Sequence, residues 1–295
     1  MTAFPRHIAA GLFNTPAALL PAASNLAVEL LSTEAGALRA DGGAASDIGA
    51  GDEWSTRRRP RDSDTPYDVV AGVAIIPVKG VLFQRIPGWM WGYSDYYGVS
   101  GYDQIRYQVM HALANDQVDA IAFDADSPGG EVAGCFDLVD TIYKARGIKP
   151  IAAILGENAF SACYAVVSAV DPGRLWVPRT GGTGSVGVIY IHLSIAGWLE
   201  KTGIKPTLVT KGDLKGEGSE LFDLSEDAFK RMKADILEVG DLFDETVARN
   251  RRMAKKAVTA TQAGTFLGAK GVDIGFADAV AAPDEAFRAL LSQLD

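Results

Sequence analysis

Short apolar runs that alternate with helical patterns constrain the fold of this chain more than any other feature. Two such runs, at 118–125 and 149–155, have the composition of strands buried on both faces of a parallel sheet. Helical patterns at 101–115, 131–146 and 161–169 lie beside them. Strands that alternate with helices of this length are joined by right-handed crossovers. The sequence therefore predicts an α/β fold with a mainly parallel sheet.

Four further strands and one long helix complete the predicted elements. The strands are at 69–78, 174–178, 185–191 and 205–210, and the helix is at 225–249. The helix carries one continuous apolar face, which is either core or a contact between subunits. That face comprises Phe229, Met232, Ile236, Val239, Phe243 and Val247.

The chain is predicted to have three parts. Residues 1–39 form an N-terminal segment with a short amphipathic helix at 24–38, and residues 67–295 form one globular domain. Between them, 40–66 is rich in Gly, Ala, Asp and Ser with an arginine cluster at 57–61, the composition of a disordered linker. The arginines are a solvated run, or alternatively a processing site or partner contact. An exposed linker also predicts proteolytic loss of roughly the first 60 residues.

Composition argues against several classes of function. A net charge of −9 disfavours nucleic acid as the main partner. Polar residues and prolines interrupt the Ala- and Leu-rich stretch at 8–31, so we expect neither a signal peptide nor a membrane anchor. Cys135 and Cys163 lie in apolar runs and do not make a disulfide framework, which favours a reducing cytoplasm.

Ser161 lies where a predicted strand ends and a predicted helix begins. The first N–H groups of a helix are unpaired, and the helix dipole favours a negative charge that develops there. This position suits a nucleophilic serine. A serine that only caps the helix would have the same sequence pattern, so both interpretations stay open.

Two other features converge on Ser161. Gly129 and Gly130 follow a predicted strand at the edge of the sheet where α/β proteins bind ligands. The N–H of Gly130 could form an oxyanion hole with that of Ala162, although the segment also has the composition of a plain turn. Lys215 lies in a loop and could act as a general base if desolvation lowers its pKa from ~10.4. Most loop lysines are solvated and inert.

Five motifs in order resemble the signal peptide peptidase (protease IV) family of serine peptidases, over roughly 67–291. They are 126–132 (DSPGGEV), 159–164 (AFSACY), 183–188 (TGSVGV), 211–215 (KGDLK) and 264–278 (GTFLGAKGVDIGFAD). The resemblance implies the Clp/crotonase-like fold and a Ser-Lys dyad without a cofactor. It makes Ser161 the nucleophile and Lys215 the base, with Gly130 and Ala162 as the oxyanion hole. Ser185 would hydrogen-bond the lysine and hold it in place.

The opening at 8–16 and the segment at 187–192 resemble the phage and prophage branch of this family, which includes head-maturation peptidases and minor capsid proteins. This branch implies a homo-oligomeric protease that acts on capsid, portal or scaffold proteins in the host cytoplasm or the prohead. We expect any scaffold to be a separate protein. Membrane and nucleic acid are not expected partners.

Alternatives to this function come from the same resemblance. The chain could be a non-catalytic capsid component that keeps the fold, or an acyl-CoA enzyme of the crotonase type, which would leave Ser161 and Lys215 without a role. His192 could replace the lysine, because the Clp proteolytic subunit uses a Ser-His-Asp triad. Phe160 and Cys163 flank the nucleophile where smaller residues are common, which puts the size of the pocket in question.

Overall fold

The computed structural model describes residues 17–19 (backbone only), 65–88, 91 and 98–294. Within these residues, ten strands form one sheet. They are β1 Ala17–Leu19, β2 Asp68–Val70, β3 Val73–Phe83, β4 Val99–Gly101, β5 Ala120–Glu131, β6 Ile151–Phe160, β7 Leu175–Val177, β8 Gly182–Gly184, β9 Thr265–Leu267 and β10 Ala279–Val280.

The sheet is mostly parallel. Its main path runs β10-β7-β6-β5-β3-β2, and β4 and β8 add parallel pairings to β3 and β6. Three pairings are antiparallel: β1 with β5, β2 with β3, and β8 with β9. The prediction of an α/β fold with a mainly parallel sheet is confirmed.

Eight helices are described. They are α1 Tyr102–Ala114, α2 Cys135–Ala145, α3 Ala162–Ser168, α4 Ala196–Lys201, α5 Glu226–Arg251, α6 Lys255–Thr259, α7 Ala269–Asp273 and α8 Pro283–Leu291. No helix in the described ranges is long and apolar enough to cross a membrane.

The core lies on both faces of the sheet because successive strand residues point to opposite sides. On β3, Ala74 and Ile76 join the larger cluster, which packs under α1, α2, α3 and the end of α5. Val73 and Ile75 of the same strand join the smaller cluster, which α8 covers with Phe287 and its neighbours. Strands buried on both faces must be apolar throughout, which explains the continuous apolar runs in the sequence.

The strand β5 differs from its prediction. The sequence predicts that this strand ends at 125 and that 127–130 could form a turn, but in the structure the extended backbone continues to Glu131. It continues because Gly129 and Gly130 pair with Val81 and Leu82 of β3. The plain-turn interpretation is therefore wrong.

The strands predicted at 185–191 and 205–210 are wrong. Ser185 has a φ of 53°, which turns the chain out of β8, so no strand spans 185–191. Residues 205–210 are largely exposed and have no regular structure, because no neighbouring strand pairs with them. The long helix is confirmed as α5, but only its second half is core, with Phe243 and Val247 fully buried and Phe229 56% exposed.

The predicted division at residue 67 stays a prediction. Tyr67 is fully buried and belongs to the larger core cluster. Most of the predicted N-terminal segment and linker, including the helix at 24–38 and the arginines at 57–61, lies outside the described residues. The predicted proteolytic loss of the first residues lies there too.

Candidate active site

Ser161 connects β6 to α3 with an unusual backbone. Its φ of 52° and ψ of −119° are sterically costly for a residue with a side chain, and such strain is found most often at functional sites. Its N–H donates to the carbonyl of Gly184 at 2.8 Å. The side chain makes no capping hydrogen bond to the helix, so the N-cap interpretation is wrong. Ser161 Oγ instead lies 3.4 Å from the carbonyl oxygen of Gly187.

The first turn of α3 points its free N–H groups toward Ser161. Ala162 is the first residue of this helix, so its N–H has no partner inside the helix. The helix is buried along its whole length, which keeps it rigid and reduces the screening of its dipole by water. The N–H of Ala162 is therefore suited to an oxyanion that forms at Ser161.

Gly130 lies on β5 between two strands, opposite Leu82 of β3 and Ala18 of β1. A Cβ at Gly130 would come within 1.9 Å of the carbonyl oxygen of Leu82, so no other residue fits without displacing the backbone. Gly129, with a φ of 107°, donates its N–H to Ser127 Oγ at 3.0 Å. These contacts fix the backbone on which the predicted oxyanion donor lies.

Strand pairing brings four predicted site residues together. Ser127 of β5 pairs with Ala159 of β6, and Phe160 of β6 pairs with Gly184 of β8. Ser161 and Ser185 therefore leave neighbouring strands side by side, and Gly130 lies just beyond Ser127. Ala162 follows Ser161. Parallel strands place their carboxyl ends at one edge, which is where the sequence predicted the site.

The segment at 264–278 supports this site, a role that sequence reasoning missed. The N–H of Ser185 donates to the carbonyl of Gly264 at 2.8 Å, and β9 continues the pairing along β8. Tyr164 of α3 donates its hydroxyl to the carbonyl of Phe276 at 3.0 Å, and the two rings stack. The segment thus holds both the helix after Ser161 and the strand before Ser185.

An ion pair fastens the end of that segment to α5. Arg251 is bonded to Asp278 with Nη2 2.7 Å from Oδ1, and its side chain is only 6% exposed. Asp278 Oδ2 also accepts from the N–H of Leu175 on β7, at 2.9 Å. Burial by itself lowers the pKa of Arg251, and the hydrogen bond and charge of Asp278, together with Tyr164, bring it above its ordinary value. A paired, hydrogen-bonded charge can be buried here because both members have partners.

Lys215 is not brought to Ser161 within the single chain. It lies in an exposed part of the loop between α4 and α5. Among the hydrogen bonds of the described residues, none joins its Nζ to Ser161 or Ser185. The loop has no strand or helix to hold it against the site, so the expected contact between Ser185 and the lysine is not formed in this structure.

His192 lacks the surroundings of a triad base. Its Nε2 lies 3.3 Å from the carbonyl of Phe222, which can only accept, so Nε2 carries the proton. Its buried Nδ1 has no hydrogen-bond partner. A triad histidine is oriented by a carboxylate on the nitrogen that does not face the nucleophile, and no carboxylate is bonded to this ring.

The residues that flank Ser161 are packing residues. Cys163 is fully buried, and burial raises the pKa of its thiol well above the usual range. Burial also raises the pKa of Cys135 to about 12, so neither thiol supplies a thiolate. Phe160 covers Gly182, where a Cβ would lie 2.5 Å from the ring. Both side chains fill the interior. In the described ranges, no cluster of acidic, His and Cys side chains is placed to hold a metal.

Comparisons with known proteins point to one family. The model of Peptidase family S49 matches residues 144–295, which include Ser161, Ser185 and Lys215. The head-tail preconnector protein GP5 of Enterobacteria phage P21 is 33% identical over 297 residues, which cover 98% of this chain and 58% of that protein.

Two other relatives extend the comparison. The capsid assembly protease C of Escherichia phage lambda is 30% identical over 295 residues, covering 98% of this chain and 66% of that protein. A putative signal peptide peptidase SppA of Enterococcus faecium is 26% identical over 175 residues, which are 59% of this chain and 50% of that one. The chain thus spans between half and two thirds of the length of these relatives.

Proposed function

Because the chain belongs to peptidase family S49, we propose that it is a serine endopeptidase of phage capsid maturation with a Ser-Lys dyad. The observation that carries this proposal is the backbone of Ser161, which is strained at a helix N-terminus beside Gly130 and Ala162. A capping serine needs no such strain. The sheet and its crossovers fit the Clp/crotonase-like fold that the family implies.

The proposed reaction follows from the positions of these groups. Ser161 Oγ attacks the carbonyl carbon of the scissile peptide bond, and the N–H groups of Ala162 and Gly130 donate to the oxygen that becomes negative. The base takes the serine proton and passes it to the leaving amine. Water then attacks the carbonyl carbon of the acyl-enzyme while the base takes a proton from it. Ser161 Oγ leaves with that proton, which releases the carboxylic acid product and restores the serine. Each preorganised N–H donor of this kind contributes about 10²–10³-fold to kcat.

We propose that Lys215 reaches Ser161 from a neighbouring copy of the chain. In the single chain its side chain is exposed and is not hydrogen-bonded to Ser161. The loop of Lys215 and the helices α4 and α5 on either side of it carry exposed large apolar residues, which another subunit could bury. These residues are Trp198, Ile204, Leu208, Val209, Leu214 and Phe229. Burial there would remove water from the lysine and favour its neutral form.

The substrates we propose are capsid, portal or scaffold proteins, and the location is the host cytoplasm or the prohead. This proposal rests on the names of the two phage relatives. A crotonase-type acyl-CoA enzyme would use the oxyanion hole but would not need the strained serine.

An active-site probe tests the proposal against a non-catalytic capsid component. A fluorophosphonate should label the wild-type protein at a single serine, and the Ser161→Ala variant should lose this labelling. Ser292→Ala is the matched control, because Ser292 is an exposed serine at the end of α8. Labelling that persists equally in the Ser161→Ala variant, or that is absent from the oligomeric wild type, would exclude a serine peptidase.

A further inference from the structure

The strand β1 comes from the N-terminal part of the chain and pairs beside the nucleophile. It lies antiparallel to the end of β5, with Ala17 opposite Glu131, Ala18 opposite Gly130 and Leu19 opposite Gly129. The central partner of β1 is thus the glycine whose N–H the proposed function assigns to the oxyanion hole.

The side of β5 that β1 occupies follows from the other pairings. On one side, Gly129 and Gly130 pair with Val81 and Leu82 of β3. On the other side, β6 pairs with β5 only as far as Ser127, which is opposite Ala159, and then leaves toward Ser161. β1 therefore pairs with the edge of β5 that β6 leaves, and Leu19 of β1 is opposite Gly129, two residues past the last β5 residue that pairs with β6.

The direction of β1 is that of a substrate. β1 runs antiparallel to β5, from the position opposite Glu131 to the position opposite Gly129, and so points toward the end of β6 and Ser161. An extended substrate on this edge would place the residues before its scissile bond where Ala17, Ala18 and Leu19 lie. A strand edge of this kind, when β1 does not occupy it, pairs readily with any extended polypeptide.

We propose that Ala17–Leu19 is a built-in occupant of the substrate strand site, so that the chain competes with its own substrates through its N-terminal segment. This inference rests on the proposed function, since it assumes that the edge of β5 binds the polypeptide to be cut.

The tether makes such a weak contact effective. Three residues of strand pairing bind weakly by themselves, and a separate peptide of that length would be largely free. A segment attached to the same chain has an effective concentration on the order of millimolar, which substrates must exceed. Release of the segment would then raise the apparent affinity for substrate without any change in the catalytic groups.

Proline substitutions in the full chain test the pairing. Successive N–H groups of a strand point to opposite sides, so of any two neighbouring residues in β1 one points its N–H at β5. Proline has no N–H, and the double variant Ala18→Pro with Leu19→Pro therefore removes a donor that faces β5. The matched control is Ala9→Pro with Ala10→Pro in the same N-terminal segment. All variants carry Ser161→Ala for this measurement, which makes the result independent of activity.

Hydrogen exchange at the edge of β5 is the first readout. The N–H groups of Gly130 and Glu131 point to opposite sides, so one of them faces β1. We expect exchange there to be at least tenfold faster in the 18/19 variant than in the parent and the 9/10 control. Equal exchange in all three would overturn the inference.

Binding and labelling separate this inference from the proposed function. A fluorescent peptide with the sequence of residues 14–22 should bind the 18/19 variant at least tenfold more tightly than the parent, because the site is vacated. With Ser161 restored, the 18/19 variant should also cleave a peptide substrate with a lower KM and the same kcat. Equal affinity of the peptide for the 18/19 variant and the parent would overturn this inference alone. If Ser161 is not labelled in any protein that retains it, the proposed function is overturned instead.

Discussion

The backbone N–H of Ser161 donates to the carbonyl oxygen of Gly184, 2.8 Å away, so the strand that precedes Ser185 also holds Ser161. Ser161 and Ser185 both have positive φ, 52° and 53°. A backbone hydrogen bond holds each of these strained turns: the N–H of Ser161 donates to Gly184, and the N–H of Ser185 donates to Gly264. The backbone of one motif is therefore a structural condition for the geometry of the other.

Gly184→Ala should damage the site without touching a catalytic side chain. The glycine has a φ of 111°, and a Cβ there would lie 2.5 Å from the carbonyl oxygen of Gly264. We expect a loss of about 1–3 kcal/mol in the free energy of unfolding and a large loss of probe labelling at Ser161. Thermal unfolding and labelling measure the two effects. Gly197→Ala is the control, because a Cβ there meets nothing within 4 Å and its φ is ordinary.

Mixing inactive variants should restore activity if Lys215 acts across copies. Ser161→Ala and Lys215→Ala should each lower kcat by several orders of magnitude, and together no further, because members of a catalytic unit fail as one. Mixed oligomers of the two contain sites with an intact serine and an intact lysine, so peptide cleavage should return to a substantial fraction of wild type. Failure of the mixture, with the oligomer intact, would place the lysine in its own chain's site.

Two further variants identify the base. Lys215→Arg should be as inactive as Lys215→Ala, because a guanidinium stays protonated and cannot accept the serine proton. His192→Gln should keep most of its activity, since among the described residues its ring hydrogen-bonds to the carbonyl of Phe222 and to no carboxylate. The opposite ranking of kcat in folded variants would show that the histidine is the base.

Glu131 should make stability fall as pH rises. Burial raises its pKa above 4.5, against the opposing hydrogen bond from the N–H of Gln84. Between 4.5 and the folded pKa, the unfolded chain has released the proton and the folded protein has not, so the free energy of unfolding decreases with pH. Its contribution is complete below 4.5 and is lost as pH passes the folded pKa.

Denaturant unfolding of wild type and Glu131→Gln over pH 4–7 checks this, with the difference between the two as the measured quantity. The glutamine does not titrate, so that difference should change with pH in the stated direction. Glu226→Gln serves as the control, since the side chain of Glu226 is 93% exposed. A pH-independent difference for Glu131→Gln would contradict the prediction.

Asp278→Ala should strongly destabilise the protein. It leaves the buried Arg251 guanidinium without its carboxylate and the N–H of Leu175 without its acceptor. Loss of one partner of a buried pair costs about 3–5 kcal/mol, measured by denaturant unfolding. Lys230→Ala breaks an exposed pair on α5 and should change little. A similar small effect for both would mean that Arg251 reaches water when unpaired.

Local sequence patterns predicted the features that depend on local rules. The apolar runs located β5 and β6, and the carboxyl ends of these parallel strands correctly grouped Gly130 with Ser161. Ser185 was placed with them only by the family resemblance, and the pairing of β6 with β8 brings it there. The extension of β5 through its glycines was missed, because it depends on pairing with the distant strand β3 rather than on turn propensity.

Long-range contacts account for the other differences. The strand β1 has only three residues, and its partner lies more than a hundred residues away in sequence, so no periodicity marks it. The supporting role of 264–278 could not be predicted for the same reason, because its contacts with Ser185 and Tyr164 join residues far apart in sequence. The position of Lys215 could not be predicted, because an exposed loop has no packing pattern in a single sequence.

The segment that holds Ser185 in place also determines when the site can form during synthesis. β9 and the Arg251–Asp278 pair lie about a hundred residues after Ser161, so the ribosome makes them well after Ser161 and α3. A nascent chain that ends before Gly264 lacks the acceptor for the N–H of Ser185 and the strand that borders β8. A nascent chain of that length therefore cannot yet hold Ser185 in the geometry that the proposed peptidase requires.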